Sequence, residues 1–357
     1  MPQSLYNIRR RQVLQLLAGA SGAALLHACN SSSSPEAATP DSAATTTSES
    51  GSTSGMSLSL GTAPWVGQVP LYIAQEKGFF AEEGLDFELR NFGDSGGYLS
   101  AFLANKLDSL SLVSAEAVTL LDQGKDYKVV LIQDNSVGGD GILAKDSITS
   151  IADFKGKKVA VDTSGVSYFF LLQVLKEAGL TKDDITAINT EPSAAASAFQ
   201  TGNVDIAVTY APYLQQAADA TADGRIIYDS SKMPTAIIDM YIFDSAYVEK
   251  NPAAVQAFVN GIFKGMEFLK DNPEEALKIS AVALDVGPAD VESDLKGVKL
   301  PDKATNLQMM AEPDSDLYVV EPLQELSDFL LSEGQIETEK GDFADILDPQ
   351  FVEASPS

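Results

Sequence analysis

From residue 56 onward, short apolar runs alternate with segments in which apolar residues recur every three or four positions. The runs at 57–60, 85–92, 110–113 and 129–132 predict strands, and each but the last is followed by helical spacing. Pro70 fits the first turn of one such helix, where its missing N–H is not needed. After Lys145 the alternation restarts: 158–162, 185–189, 205–209 and 225–228 read as strands, with helical patterns at 166–178 and 194–200 between them. Beyond Tyr241 the spacing turns helical, with Val255, Phe258, Val259, Ile262, Phe263, Met266 and Leu269 following an Asn251-Pro252 start. Repeated strand–helix units predict parallel, doubly wound sheets. Two such sets and a helical tail predict two α/β lobes.

The first 55 residues have a different texture. Arg9, Arg10 and Arg11 precede a 14-residue apolar stretch at 13–26, too short to span a bilayer comfortably, so 1–28 reads as a signal peptide. Leu25-Leu26-His27-Ala28-Cys29 resembles a lipobox, with His27 departing from the usual small residue, and Arg10-Arg11-Gln12 resembles a twin-arginine export signal. Cys29 is the expected lipidation site. Residues 30–55 hold 14 Ser or Thr in 26 positions, with Pro35, Pro40 and Gly51 and no large apolar side chain. That composition cannot offset its ordering entropy by burial, so 29–55 is expected to be a lipidated, disordered tether.

Composition narrows the function. The 357 residues carry 24 basic and 51 acidic side chains, a formal charge of −27, which repels nucleic-acid phosphates and anionic headgroups. One Cys and one His, both at the end of the leader, exclude an intrachain disulfide, a thiolate zinc cage and a histidine metal cluster.

Several blocks carry a family resemblance. Trp65-Val66-Gly67-Gln68-Val69-Pro70-Leu71, Gly78-Phe79-Phe80-Ala81-Glu82-Glu83-Gly84-Leu85 and Asp153-Phe154-Lys155-Gly156-Lys157-Lys158-Val159-Ala160 are among them, as are Gly202-Asn203-Val204-Asp205-Ile206-Ala207 and Tyr210-Ala211-Pro212-Tyr213. Together they resemble the solute-binding proteins of ABC importers, in the branch of sulfonate, taurine, nitrate and thiamine-pyrimidine binders. The resemblance implies a type II periplasmic-binding-protein architecture: two doubly wound α/β lobes around a ligand cleft, with a helical C-terminal tail. It assigns 56–145 to the first part of lobe 1, 146–242 to lobe 2 and 243–357 to the completion of lobe 1, with crossing strands near 144–145 and 240–241. It implies a lipid-anchored, extracytoplasmic monomer in the periplasm or at the cell surface, with no cofactor and no catalysis, delivering a small solute to a permease and its ATPase.

Motifs for other chemistries fail on inspection. Gly93-Asp94-Ser95-Gly96-Gly97 duplicates a serine-protease nucleophile sequence, yet a chain without histidine beyond residue 27 lacks the base. Gly139-Asp140-Gly141 runs on into a strand where a dinucleotide fingerprint needs a helix, and Gly156-Lys157 lacks the rest of a P-loop. A thiamine-pyrimidine synthase would need a donor histidine. A hydrolase using paired carboxylates is the one enzyme reading left open.

The cleft is expected in loops at the carboxyl ends of strands. The candidate loops 62–68, 92–98, 113–118, 134–141, 162–168, 189–195 and 209–214 contain no Lys, Arg or His, but do contain Asp94, Glu116, Asp134, Asp140, Asp162 and Glu191. The expected ligand-binding set is Trp65, Gln68, Asp94, Ser95, Glu116, Asp140, Ser164, Ser167, Glu191 and Tyr210, with Asp239 beside the second crossing; no metal site is expected. Missing bases favour a guanidinium- or amine-like cation held by carboxylates against Trp65 and Tyr210. The helix start at 163–167 suits an oxyanion instead, such as nitrate, taurine or a sulfonate, and a thiamine pyrimidine precursor is a further possibility. Asp94 and Asp140 equally suit helix or turn caps, and Trp65 a core position.

Overall fold

The structure, a computed structural model, describes residues 55–233, 235–338 and 341–356. The signal peptide, Cys29 and the tether, apart from Gly55, lie outside the described residues. Among the described residues eleven strands form two sheets: β1 Met56–Thr62, β2 Leu85–Asn91, β3 Ser109–Val113, β4 Tyr127–Ser136, β5 Asp140–Lys145, β6 Lys158–Val161, β7 Thr186–Asn189, β8 Ile206–Tyr210, β9 Gly224–Asp229, β10 Ile238–Asp244 and β11 Val298–Lys299. The first sheet has the order β11-β4-β10-β3-β1-β2 and the second β7-β6-β8-β5-β9.

Both sheets are mixed rather than wholly parallel. β10 runs antiparallel to β3 and β4, and β5 antiparallel to β8 and β9. The cause is where the chain changes sheets. Parallel strands of both sheets aim their carboxyl ends at the space between the lobes. A strand entered directly from the other lobe must therefore begin at that space and run the opposite way. β5 and β10 are those strands, so the chain leaves the first sheet at 137–139 and returns across 230–237. Residues 144–145 and 240–241, near which crossing strands are expected, lie within β5 and β10, and the connections themselves precede these strands. Residues 140–145 consequently belong to the second sheet and 238–242 to the first, a correction to the boundaries expected at 145 and 242. Continuous apolar runs hide such a change, because β4, β5 and β10 are buried in either sheet.

The helical tail packs back on the first sheet. Helix Pro252–Asp271 buries Val255, Phe258, Val259 and Ile262 as one stripe. Phe258 stacks on Phe80 at 5.5 Å between ring centres, and meets Tyr241 and Phe243 of β10 edge-on. Gly265 lets this helix press on helix Val69–Glu76, since a Cβ there would lie 2.1 Å from the Pro70 carbonyl oxygen. That packing fixes the direction of the Val69–Glu76 helix, and with it the loop carrying Trp65 and Gln68. Among the described residues no helix is long and apolar enough to cross a membrane.

Candidate functional site

Between the carboxyl ends of the two sheets lies a narrow cavity of about 40 Å³. The first lobe contributes Thr62, Trp65, Gln68, Ser95, Tyr98, Ser111, Glu116 and Asp239, and the second Asp140, Val166 and Tyr210. The lobes touch here: the Ser95 N–H donates to Asp162 Oδ2 at 3.4 Å, and Trp65 meets Tyr210 at 5.8 Å with their rings at 88°.

Trp65 is aimed by a chain of buried hydrogen bonds. Its indole Nε1 donates to Asp134 Oδ2 at 2.9 Å, and the same oxygen accepts from Gln133 Nε2 at 3.0 Å. Gln133 Oε1 accepts from Ser111 Oγ at 2.6 Å, and Ser111 Oγ in turn accepts from Gln68 Nε2 at 3.0 Å. Gln68 also donates to Thr62 Oγ1 and accepts from Tyr72 OH. Gly67 leaves room for this arrangement, because a Cβ there would sit 1.9 Å from Asp134 Oδ2 and 2.3 Å from the indole nitrogen.

On the opposite wall, Tyr98 OH donates to Glu116 Oε2 at 2.6 Å. Glu116 sits in the first turn of helix Ser114–Asp122 and reaches back to accept the Val113 N–H at 3.4 Å. Its Oε1 is buried and has no hydrogen-bond partner among the described residues.

Electrostatically the site is a set of carboxyls without a base. Burial pushes Glu116 up to about 7 against the hydrogen bonds from Tyr98, Ser95 and the Val113 N–H. Burial likewise raises Asp140 to about 7, aided by the charges of Asp134 and Glu116. Burial also raises Asp134, and Asp239 is raised by burial and then by the three neighbouring carboxylates. Among the described residues no Lys or Arg lines the cavity. Among the described residues no group of three or more His, Cys, Asp or Glu is disposed to hold a metal ion.

Of the expected ligand-binding set, Trp65, Gln68, Ser95, Glu116, Asp140, Tyr210 and Asp239 meet at this cavity. Asp94 does not: it caps helix Ser95–Leu103 by accepting the Gly97 N–H at 2.7 Å. Ser164 is exposed and donates to Asp162 Oδ1 at 2.6 Å, while Glu191 is exposed on the rim facing Gly93. Ser167 is buried without a hydrogen-bond partner among the described residues, behind the lining. Within the protease-like sequence, Ser95 Oγ is in hydrogen-bond contact with Tyr98 OH at 3.0 Å.

Tyr98, Thr62, Ser111, Gln133 and Asp134 are additional site residues. Ser111 and Gln133 left a readable trace, as polar residues inside runs otherwise too apolar to admit one without a partner. Tyr98 left none beyond lying three residues after Ser95 on one helix face.

Comparisons with known proteins agree with this geometry. A family model described as NMT1/THI5 like matches residues 65–276, more than half of the chain. The taurine-binding periplasmic protein of Escherichia coli (strain K12) is 25% identical over 295 residues, covering 80% of this chain and 89% of that one. The formylaminopyrimidine-binding protein of Halalkalibacterium halodurans is 26% identical over 227 residues, covering 58% and 64%. Among solved structures, the alkanesulfonate-binding protein of Xanthomonas axonopodis pv. citri bound to MOPS superposes with a TM-score of 0.67 at 19% identity, covering 82% of this chain and 98% of that one. A desulfurization enzyme shares the fold at a TM-score of 0.60 and 16% identity, covering 84% and 98%. The guanidinium- or amine-like cation expected from the sequence gains no support from these relatives, whose names specify taurine, formylaminopyrimidine and alkanesulfonate. With the family model spanning both lobes and the cleft between them, the chain belongs to the NMT1/THI5-like family and has the fold of ABC-importer solute-binding proteins.

Proposed function

We propose that the protein is an extracytoplasmic solute-binding component of an ABC importer, anchored through Cys29, whose ligand is an aminopyrimidine of the thiamine-precursor kind. The observation that carries the ligand class is the ring of carboxyls Glu116, Asp140 and Asp239 beside Trp65 and Tyr210, with no basic side chain among them. An aminopyrimidine presents an exocyclic N–H donor next to a ring-nitrogen acceptor. A carboxyl held near 7 answers both, accepting from the N–H as a carboxylate or donating to the ring nitrogen as an acid. Its flat ring fits against the indole. A sulfonate or nitrate would meet several carboxyls and no compensating cation. The relative named for formylaminopyrimidine supports this reading over a simple cation.

Calorimetric titration of the protein with formylaminopyrimidine, taurine, nitrate and guanidinium tests it. Formylaminopyrimidine should bind without being consumed, and the others at least about 100-fold more weakly, a gap of about 2.7 kcal/mol. Tight taurine or nitrate binding unaffected by Asp140→Asn would overturn the aminopyrimidine reading and leave the oxyanion site at the start of helix Val166–Glu177 in its place. Turnover of the ligand would overturn the transport reading itself.

A further inference from the structure

Behind the carboxyls that line the cavity stands a further one, Asp134. Asp134 and Asp239 stand directly opposite each other on the antiparallel neighbours β4 and β10. Two carboxylates facing each other across a strand pair repel, and more so when water is excluded. Asp134 is fully buried, and its two oxygens are treated differently. Oδ2 accepts from Trp65 Nε1 and Gln133 Nε2, while Oδ1 accepts from no N–H among the described residues. The position is also significant in the chain path. Asp134 lies three residues before the crossing at 137–139, and Asp239 two residues after the crossing at 230–237, so the pair ties the two strands from which both connections between the lobes leave.

We infer that Asp134 and Asp239 share a single proton, carried by Asp239 and donated to Asp134 Oδ1, and that this bond is a staple across the hinge strands that holds Trp65 in the cleft. Asp239 is then a positioning residue, acting on the ligand wall through Asp134. The inference goes beyond the ligand proposed above and does not depend on it. A buried, unpartnered Oδ1 calls for a donor, and the register and charges around it favour Asp239 as its source. Asp239 faces Asp134, Asp140 and Glu116, all of which raise its proton affinity, whereas Asp134 has two N–H donors that favour its charged form. The other titratable groups against the pair are Tyr241 on β10 and, behind it, Tyr72 of helix Val69–Glu76, both raised by burial. None is a cation.

Trp65 is the only tryptophan in the chain, so its fluorescence reports on this bond without any ligand. In the full-length protein, raising the pH should change the Trp65 emission in one step as the shared proton leaves, and the infrared band of a protonated carboxyl should vanish over the same range. Asp239→Asn, whose amide N–H can replace the donated proton at every pH, should abolish both the emission step and the band it accompanies. Asp140→Asn should keep the step. The inference is overturned if the step persists unchanged in Asp239→Asn, if Asp140→Asn removes it, or if a chelator at neutral pH produces the same emission change, since a bound metal ion would then be what joins the pair. Should Asp239→Asn fail to fold, Asp239→Ser offers a shorter hydroxyl donor; a retained step in that variant would equally count against the shared proton.

Discussion

The two lobes meet at one cavity but are built to different standards there. The first lobe's wall is a continuous buried network from Thr62 through Gln68, Ser111, Gln133 and Asp134 to Trp65. Each side chain is held by its neighbour before any ligand arrives. The second lobe offers Asp140, Val166 and Tyr210, among which the structure shows no comparable chain of side-chain bonds. Recognition is therefore concentrated in the preorganised lobe, and the other acts as a closing face.

Gly67→Ala attacks the preorganised wall directly and should have the largest effect. The added Cβ must displace Asp134 or the indole, so stability should fall by about 3 to 4 kcal/mol, with ligand binding lost. Denaturant titration and calorimetry read both, and an unperturbed Gly67→Ala would show that the wall is not rigid.

The carboxyls give the next effect, with a defined sign. Glu116 moves from 4.5 to about 7 in the folded protein, so its stabilising contribution is fully present below its unfolded value and is lost as pH rises through about 7. That contribution is on the order of 3 kcal/mol. Thermal melts from pH 5 to 8 should show falling stability in the wild type and a shallower fall in Glu116→Gln.

Gly165→Ala tests the closing face. A Cβ there would lie 2.1 Å from Ser95 Oγ, across the cleft rather than within a lobe. Affinity should drop about 10- to 100-fold, or about 1.4 to 2.7 kcal/mol, because the added Cβ forces apart the faces that touch at Ser95 and Asp162. Unchanged affinity on calorimetric titration would show that this face does not close on the ligand. The smallest effect belongs to the exposed Arg90–Glu88 pair at 2.7 Å on β2, where Arg90→Ala should leave the denaturation midpoint close to wild type, because solvent screens an exposed ion pair.

Much of this was legible in the sequence, and the illegible part has a physical pattern. Strands and helices followed from apolar spacing, which reports burial. Burial does not say which sheet a strand joins, so apolar spacing alone does not assign β5 and β10 to a lobe. Glu116, Asp140 and Tyr210 were readable because they follow or begin strands whose ends form the cleft. Asp94 shares that placement but caps its helix, as a short acid there does as readily as it binds a ligand, while Glu191 stays exposed on the rim without capping the helix that follows it. Tyr98 and Gln133 are oriented by partners distant in sequence, Glu116 and Ser111, and no local pattern encodes those pairings.

The place of β10 has a consequence for how the chain acquires its structure. β10 sits in the middle of the first sheet, between β3 and β4, yet follows the entire second sheet in sequence. A polypeptide emerging from its N-terminus can assemble residues 140–229 from contiguous segments while the earlier sheet still has a gap at its centre. Closing that gap requires a contact spanning about a hundred residues, the slow kind in folding kinetics. Pulse-labelling hydrogen exchange during refolding should accordingly find the amides of β6 and β8 protected before those of β3 and β4, so that the lobe with the weaker binding wall is the first to fold.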